Sequence, residues 1–187
     1  MNLGIWIKNY INHPLQLGAV LPSSAALASL MTKHLSNSID GYVLELGPGI
    51  GSFTRAILRR GIPERNLVLV EQSPDFTKLL RQSFPAAKVF CGDAQNVTDI
   101  LNSAGIQQVD EIVSGIPLNA MTPIMRRTIC DAAMAMLKHK GSFVQVSYLP
   151  RCSIPKDSIS LLSAQKLFCG MTVRNIPPAF VWRAKLS

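Results

Sequence analysis

The sequence predicts an α/β fold with a mainly parallel sheet, and three observations carry that expectation. An apolar strand, Val43-Leu44-Glu45-Leu46, runs into glycines at 47, 49 and 51 and then into a helical stretch. From residue 42 to residue 148 short apolar runs alternate with helical periods, which is the rhythm of βαβ units. Past Pro150 two segments alternate apolar and polar side chains on either side of Pro177-Pro178, as in a terminal antiparallel hairpin. At 187 residues, with 48% hydrophobic and 16% charged, the chain suits one folded domain with a sizeable core. Residues 1–187 are therefore taken together, with 1–40 as a helical extension and 41–187 as the sheet-bearing core.

In order, Leu3, Trp6, Ile7, Tyr10 and Ile11 follow the i, i+3, i+4 pattern of a helix over 3–11, which Pro14 ends. Trp and Tyr beside Lys8 suit either a lid with its apolar face inward or a contact with a membrane–water interface. Residues 15–22 form an apolar loop, and Ser23 or Ser24 caps a helix to about Leu35. Strands follow at 42–46, 67–71, 88–91, 111–114 and 142–148. Between them lie helices at about 52–60, closed by Gly61, from Pro74 to before Pro85, at 95–103, and from Pro123 to about Lys138, where Gly141 ends it. Residues 158–163 suit one helical turn. The hairpin strands are 166–174 and 180–185, with Trp182 read as core.

Charge is uneven. Residues 126–187 hold ten Lys/Arg against Asp131 and Asp157, and so carry the whole net charge of +8. A basic end fits a solvated surface or an anionic partner, either a membrane or a nucleic acid. Cys91, Cys130, Cys152 and Cys169 show no CxxC spacing and no metal-site pattern, and read as free thiols of a reducing compartment. No signal-peptide pattern and no apolar run of about 20 residues is present, so the expected place is the cytoplasm, with any membrane contact peripheral.

The glycine turn predicts a nucleotide-binding corner, because glycine lets a ligand approach the backbone and the following helix offers unpaired amides. No Lys-Ser/Thr follows Gly51, which excludes a P-loop. Glu71 ends the second strand, where a carboxylate accepts hydrogen bonds from ribose hydroxyls. Asp93, in Gly92-Asp93-Ala94, stands where it can accept from an adenine amine; the other reading is a turn-forming Asx residue. Glycines plus Glu71 also fit an NAD enzyme, which explains Asp93 less well.

The GxGxG pattern, with Glu45 two residues before it and with Glu71 and Asp93, resembles the S-adenosylmethionine-binding motifs of class I methyltransferases. The resemblance implies a Rossmann-like, mainly parallel seven-stranded sheet ending in an antiparallel hairpin, with S-adenosyl-L-methionine as cofactor. It implies cofactor contacts at Glu45, Gly47, Pro48, Gly49, Gly51, Glu71, Gln72, Gly92, Asp93, Ala94, Ser114, Gly115 and Ile116. Enzymes that dimethylate ribosomal RNA adenine carry an aromatic ring where this chain has Leu118, so a flipped base has no platform here and nucleic acid is not the expected partner. Ser114-Gly115-Ile116-Pro117-Leu118 instead resembles the bacterial phospholipid N-methyltransferases, which methylate phosphatidylethanolamine. So do Leu17-Gly18-Ala19-Val20-Leu21-Pro22-Ser23-Ser24 and Asn175-Ile176-Pro177-Pro178.

That resemblance implies a phospholipid substrate, an anionic membrane surface as partner, and methyl transfer to an amine. Tyr10, Tyr148 and the Ser114 segment are the expected catalytic contacts. The backbone carbonyls of 114–116 are expected to orient the amine. Trp6, His13, Pro117, Leu118 and Arg151 are the expected substrate contacts, with Arg151 on the lipid phosphate. No metal is expected. Methylation of RNA adenine, of a small amine or of another aminolipid remains an alternative, as does a non-catalytic binding protein with the same fold.

Overall fold

The computed structural model describes residues 23–36, 39–161 and 163–187. The helix expected over 3–11 and the loop over 15–22, with Trp6, Tyr10 and His13, lie outside the described residues.

Among the described residues, seven strands form one sheet. They are β1 (Val43–Leu46), β2 (Leu67–Glu71), β3 (Lys88–Cys91), β4 (Val109–Ser114), β5 (Leu137–Ser147), β6 (Gln165–Thr172) and β7 (Ala179–Lys185). Their order is β3-β2-β1-β4-β5-β7-β6. β1 to β5 are parallel, and β7 is antiparallel to both β5 and β6. The helices are α1 (Ala25–Thr32), α2 (Ser52–Arg59), α3 (Pro74–Ser83), α4 (Val97–Ser103), α5 (Pro123–Ala135) and α6 (Lys156–Leu161).

β1 and β2 are buried along their whole length, which is why they read as continuous apolar runs. Side chains alternate between the two faces of the sheet. Leu44, Leu46, Val68, Val70, Ile112 and Phe143 pack with α4 and α5 through Val97, Leu101, Ile129 and Ala133. Val43, Leu67, Leu69, Val113, Val144 and Val146 pack with α1, α2 and α3 through Leu27, Met31, Phe53, Ile57 and Leu80. Helix starts follow the capping chemistry of the sequence. Ser24, Ser73 and Thr122 accept the amides of Leu27, Phe76 and Met125, with Pro74 and Pro123 at the first helical position.

Two expectations are corrected. α5 ends at Ala135 and β5 begins at Leu137, five residues before the expected Ser142. Leu137 pairs with Val109, whose amide donates to the Met136 carbonyl at 2.8 Å, so a strand partner captures the segment that helical periodicity assigned to α5. Gly141 is thus not a helix stop. It sits inside β5, where a Cβ would come within 2.7 Å of the Asp110 carbonyl oxygen. Trp182 is not core: it lies half-buried, its ring 4.9 Å from that of Phe168 on edge strand β6, and Phe168 is 54% exposed. No helix among the described residues is long and apolar enough to cross a membrane.

Candidate active site

The strand order reverses between β1 and β4, where connections leave toward opposite edges of the sheet and a crevice opens beyond the carboxyl ends. Leu46 lies beside Ser114 there. The Gly47 amide donates to the Val70 carbonyl at 3.0 Å, and the Gly115 amide to the Leu46 carbonyl at 2.9 Å, so the two turns hang from neighbouring strands. They touch closely. A Cβ on Gly115 would lie 2.9 Å from the Gly47 oxygen, and one on Gly47 would lie 3.0 Å from the Ile116 side chain. Glu71, 8% exposed, braces the glycine turn from β2: one carboxylate oxygen accepts the Gly49 amide and the other the Ser73 amide, both at 2.9 Å.

A cavity of about 420 Å³ occupies this crevice. Ten of the residues that the sequence nominated line it: Gly47, Gly49, Glu71, Gln72, Gly92, Asp93, Ala94, Gly115, Ile116 and Pro117. Among the described residues, Val70, Ser73, Phe76, Met121 and Ile129 also line it and were not nominated. Phe76 was legible in principle, since it sits in the first turn after the Ser73 cap at the end of β2. Met121 and Ile129 arrive through the fold of the segment after β4 and carry no local signal.

Glu45, Pro48, Gly51 and Ser114 support the cavity from behind rather than lining it. Pro48 accepts the Gly51 amide through its carbonyl at 2.8 Å, which closes the turn. Glu45 is fully buried beneath the turn and accepts the Thr54 hydroxyl at 2.7 Å, while its second carboxylate oxygen has no hydrogen-bond partner among the described residues. Burial pushes its carboxyl up to about 8, against the opposing effect of the Thr54 hydrogen bond. Asp93 forms the turn of the Asx reading, accepting the Gln95 amide at 2.8 Å and the Gln95 side-chain amide at 3.1 Å, and also lines the cavity.

The segment after β4 departs from expectation in three ways. Leu118 is 0% exposed and packed in the core beside Ile112 and Ile129, so it is not a substrate contact. The Ser114 hydroxyl is buried and accepts the Ile116 amide at 3.4 Å, so the hydroxyl faces the protein and not the cavity. The Ile116 carbonyl accepts both the Leu118 amide and the Gln145 side chain, each at 2.8 Å, so its lone pairs are engaged within the protein. Gln145 and Asn119 were missed by sequence reasoning. Asn119 donates to the Ser147 hydroxyl at 2.8 Å, and together they tie this segment to the end of β5. Tyr148 is half-buried against the α1 side of the core and Arg151 is exposed after β5; neither lines the cavity.

The comparisons agree with this geometry. Over 149 residues, 78% of either chain, the sequence is 29% identical to the ornithine lipid N-methyltransferase of Singulisphaera acidiphila. Over 126 residues it is 35% identical to the ribosomal RNA small subunit methyltransferase A of Phenylobacterium zucineum, covering 65% of this chain but 40% of that one. Among solved structures, the 1,6-didemethyltoxoflavin-N1-methyltransferase of Burkholderia thailandensis superposes with a TM-score of 0.68 at 13% identity, over 98% of this chain and 86% of that one. A TehB-like SAM-dependent methyltransferase from Corynebacterium glutamicum gives 0.62 at 15%, over 98% and 99%. At these identities the likeness is one of fold, the Rossmann-like fold of class I methyltransferases. Residues 23–152 match the family model described as methyltransferase small domain, and the chain belongs to that family.

Proposed function

We propose that this protein is an S-adenosyl-L-methionine-dependent N-methyltransferase whose acceptor is the amine of an aminolipid, phosphatidylethanolamine or its partly methylated forms. The cofactor is S-adenosyl-L-methionine, and the residues present fit it. Gly47, Gly49 and Gly115 line the cavity without side chains, so a ligand can approach their backbone, and two carboxylates and an apolar wall share the same cavity. When bound, this cofactor supplies a methyl group on a sulfonium, already activated for transfer. Glu71 is assigned to the ribose hydroxyls. Its two backbone hydrogen bonds fix the carboxylate's direction while each oxygen keeps acceptor capacity. Asp93 is assigned to the adenine amine, and Phe76, Met121 and Ile129 to the apolar walls.

The observation that carries the acceptor reading is the segment after β4. It offers no aromatic face, Gly115 has no side chain, and Leu118 is withdrawn into the core. A flipped base would find no aromatic ring in this segment to stack on, whereas an amine on a flexible headgroup needs only alignment and exclusion of water. The ornithine lipid enzyme among the relatives acts on an aminolipid, which supports the same class. The amine must present its lone pair, so it enters neutral. Among the described residues, Glu71 and Asp93 are the acidic side chains lining the cavity and both are assigned to the cofactor, so the proton is assigned to water or to Tyr10, His13 or Tyr148. Arg151 is assigned to the lipid phosphate, and Trp6 and Pro117 to the headgroup walls.

Incubation with methyl-labelled S-adenosyl-L-methionine and separate phosphatidylethanolamine, ornithine lipid and ribosomal RNA acceptors tests the reading. Label in lipid is expected. Label in RNA and none in lipid overturns it in favour of the RNA reading, and tight cofactor binding without transfer to any acceptor favours a non-catalytic binding protein.

A further inference from the structure

The tip of the β6–β7 hairpin is built inside out. Surface turns ordinarily present polar side chains to water. Here the polar residue, Asn175, is 8% exposed: its Oδ1 accepts the Ser24 amide at 3.0 Å, and its Nδ2 donates to the Pro177 carbonyl at 2.8 Å. The Thr172 hydroxyl accepts the Arg174 amide at 3.2 Å and braces the turn further. The apolar residues face outward, Met171 at 50% exposure, Val173 at 69% and Ile176 at 72%. Their exposure is fixed by hydrogen bonds on the inner side of the turn.

Topology places this tip at the working end of the molecule. Ser147, at the carboxyl end of β5, lies opposite Phe180, and Thr172 lies opposite Ala179. The tip therefore stands beyond the same carboxyl ends that open on the cavity. Ile124, 79% exposed in the first turn of α5 after β4, stands at that end too. Arg174 is exposed within the tip and Arg151 just after β5, and residues 171–178 contain no acidic side chain. Apolar side chains beside cations match an anionic bilayer, which takes the first into its acyl boundary and the second among its phosphates. A second copy of the chain meeting this tip across a two-fold axis would bring Arg174 against Arg174.

We propose that residues 171–178 dock the protein on an anionic lipid bilayer, with Met171, Val173 and Ile176 entering it and Arg174 and Arg151 meeting lipid phosphates. The proposal rests on the aminolipid reading and names the surface that brings the cavity to that lipid.

The test is co-sedimentation of the full chain with vesicles of phosphatidylglycerol and phosphatidylethanolamine, against vesicles of phosphatidylcholine alone. The wild-type chain is expected to pellet with the anionic vesicles. A Val173→Ser, Ile176→Ser double variant is expected to partition about tenfold less. Arg174→Gln is expected to lower partition about fivefold at low salt and less at high salt. Cofactor affinity by calorimetry is expected to stay unchanged in both, which shows that the variants fold. Equal pelleting of double variant and wild type overturns the proposal, as does a wild-type chain that never pellets. It is also overturned if the double variant loses only self-association by light scattering. If no aminolipid is methylated while the double variant still loses vesicle binding, the functional reading fails and the docking surface stands. Transfer to a short-chain aminolipid dissolved as monomers is expected to survive in the double variant while transfer to vesicle lipid falls.

Discussion

The carboxylate of Glu71 accepts the amide of Gly49 at 2.9 Å, linking the end of β2 to the glycine turn that follows β1. One side chain therefore shapes the turn and faces the cavity. Glu71→Gln replaces one acceptor oxygen with a donor that must meet the amide of Gly49 or of Ser73. The expected result is a Kd for S-adenosyl-L-methionine at least tenfold weaker by calorimetry. A stability loss of about 1.5–3 kcal/mol by chemical denaturation should accompany it, the range for hydrogen bonds to charged groups. Unchanged affinity would remove Glu71 from the site.

Glu45 makes stability depend on pH. Its carboxyl is raised from about 4.5 to about 8 by burial, so the folded protein holds a proton that the unfolded chain releases. The stabilisation is full below about 4.5 and is lost as pH rises toward 8. Glu45→Gln, which cannot ionise and keeps an acceptor for Thr54, should match the wild type at pH 4. At pH 8.5 it should be the more stable by a few kcal/mol. Parallel stability curves for the two proteins from pH 5 to 9 would show that Glu45 does not titrate in this window.

Gly115→Ala inserts a methyl group 2.9 Å from the Gly47 oxygen and 3.3 Å from the Phe53 ring. Backbone cannot yield as a flexible side chain can, so the two turns must separate. A loss of about 1–3 kcal/mol in urea unfolding is expected, together with weaker cofactor binding. Full retention of both would mean that the crevice tolerates opening.

The thiols should react in the order of their exposure. Cys91 is exposed, whereas Cys130 is 0% exposed and burial pushes its thiol up to about 12. Under native conditions at pH 8 a thiol reagent should modify Cys91 first and reach Cys130 only on unfolding. Rapid labelling of Cys130 would indicate that α5 opens locally.

Local chemistry determined much of this protein. β2 and β3 run as the sequence predicted, Leu67–Glu71 and Lys88–Cys91, because apolar runs between turn residues leave a chain few alternatives. The same holds for α2 and α3, whose starts and stops follow from Gly51, Gly61, Ser73, Pro74 and Pro85. Gly47, Gly49, Glu71 and Asp93 were legible because a ligand crevice in such a sheet forms where strands end and turns begin, whereas Gln72, Ala94, Gly115, Ile116 and Pro117 were implied by the family resemblance. Asp93 forms the Asx turn that the sequence offered and also lines the cavity.

Tertiary structure decided what depends on partners distant in the chain. Leu137 belongs to a strand because Val109 pairs with it, although its own neighbours read as helix. Leu118 turned from the cavity into the core, and the Ile116 carbonyl was engaged by Gln145, which lies 29 residues away. Trp182 stayed half-buried because β6, the strand beside its own, is the last of the sheet. Periodicity and turn chemistry act within a few residues, so the sequence could determine the elements, the glycine turn and the Glu71 and Asp93 positions. The direction of a side chain and the partner of a carbonyl depend on packing across the sheet, and only the assembled fold could decide them.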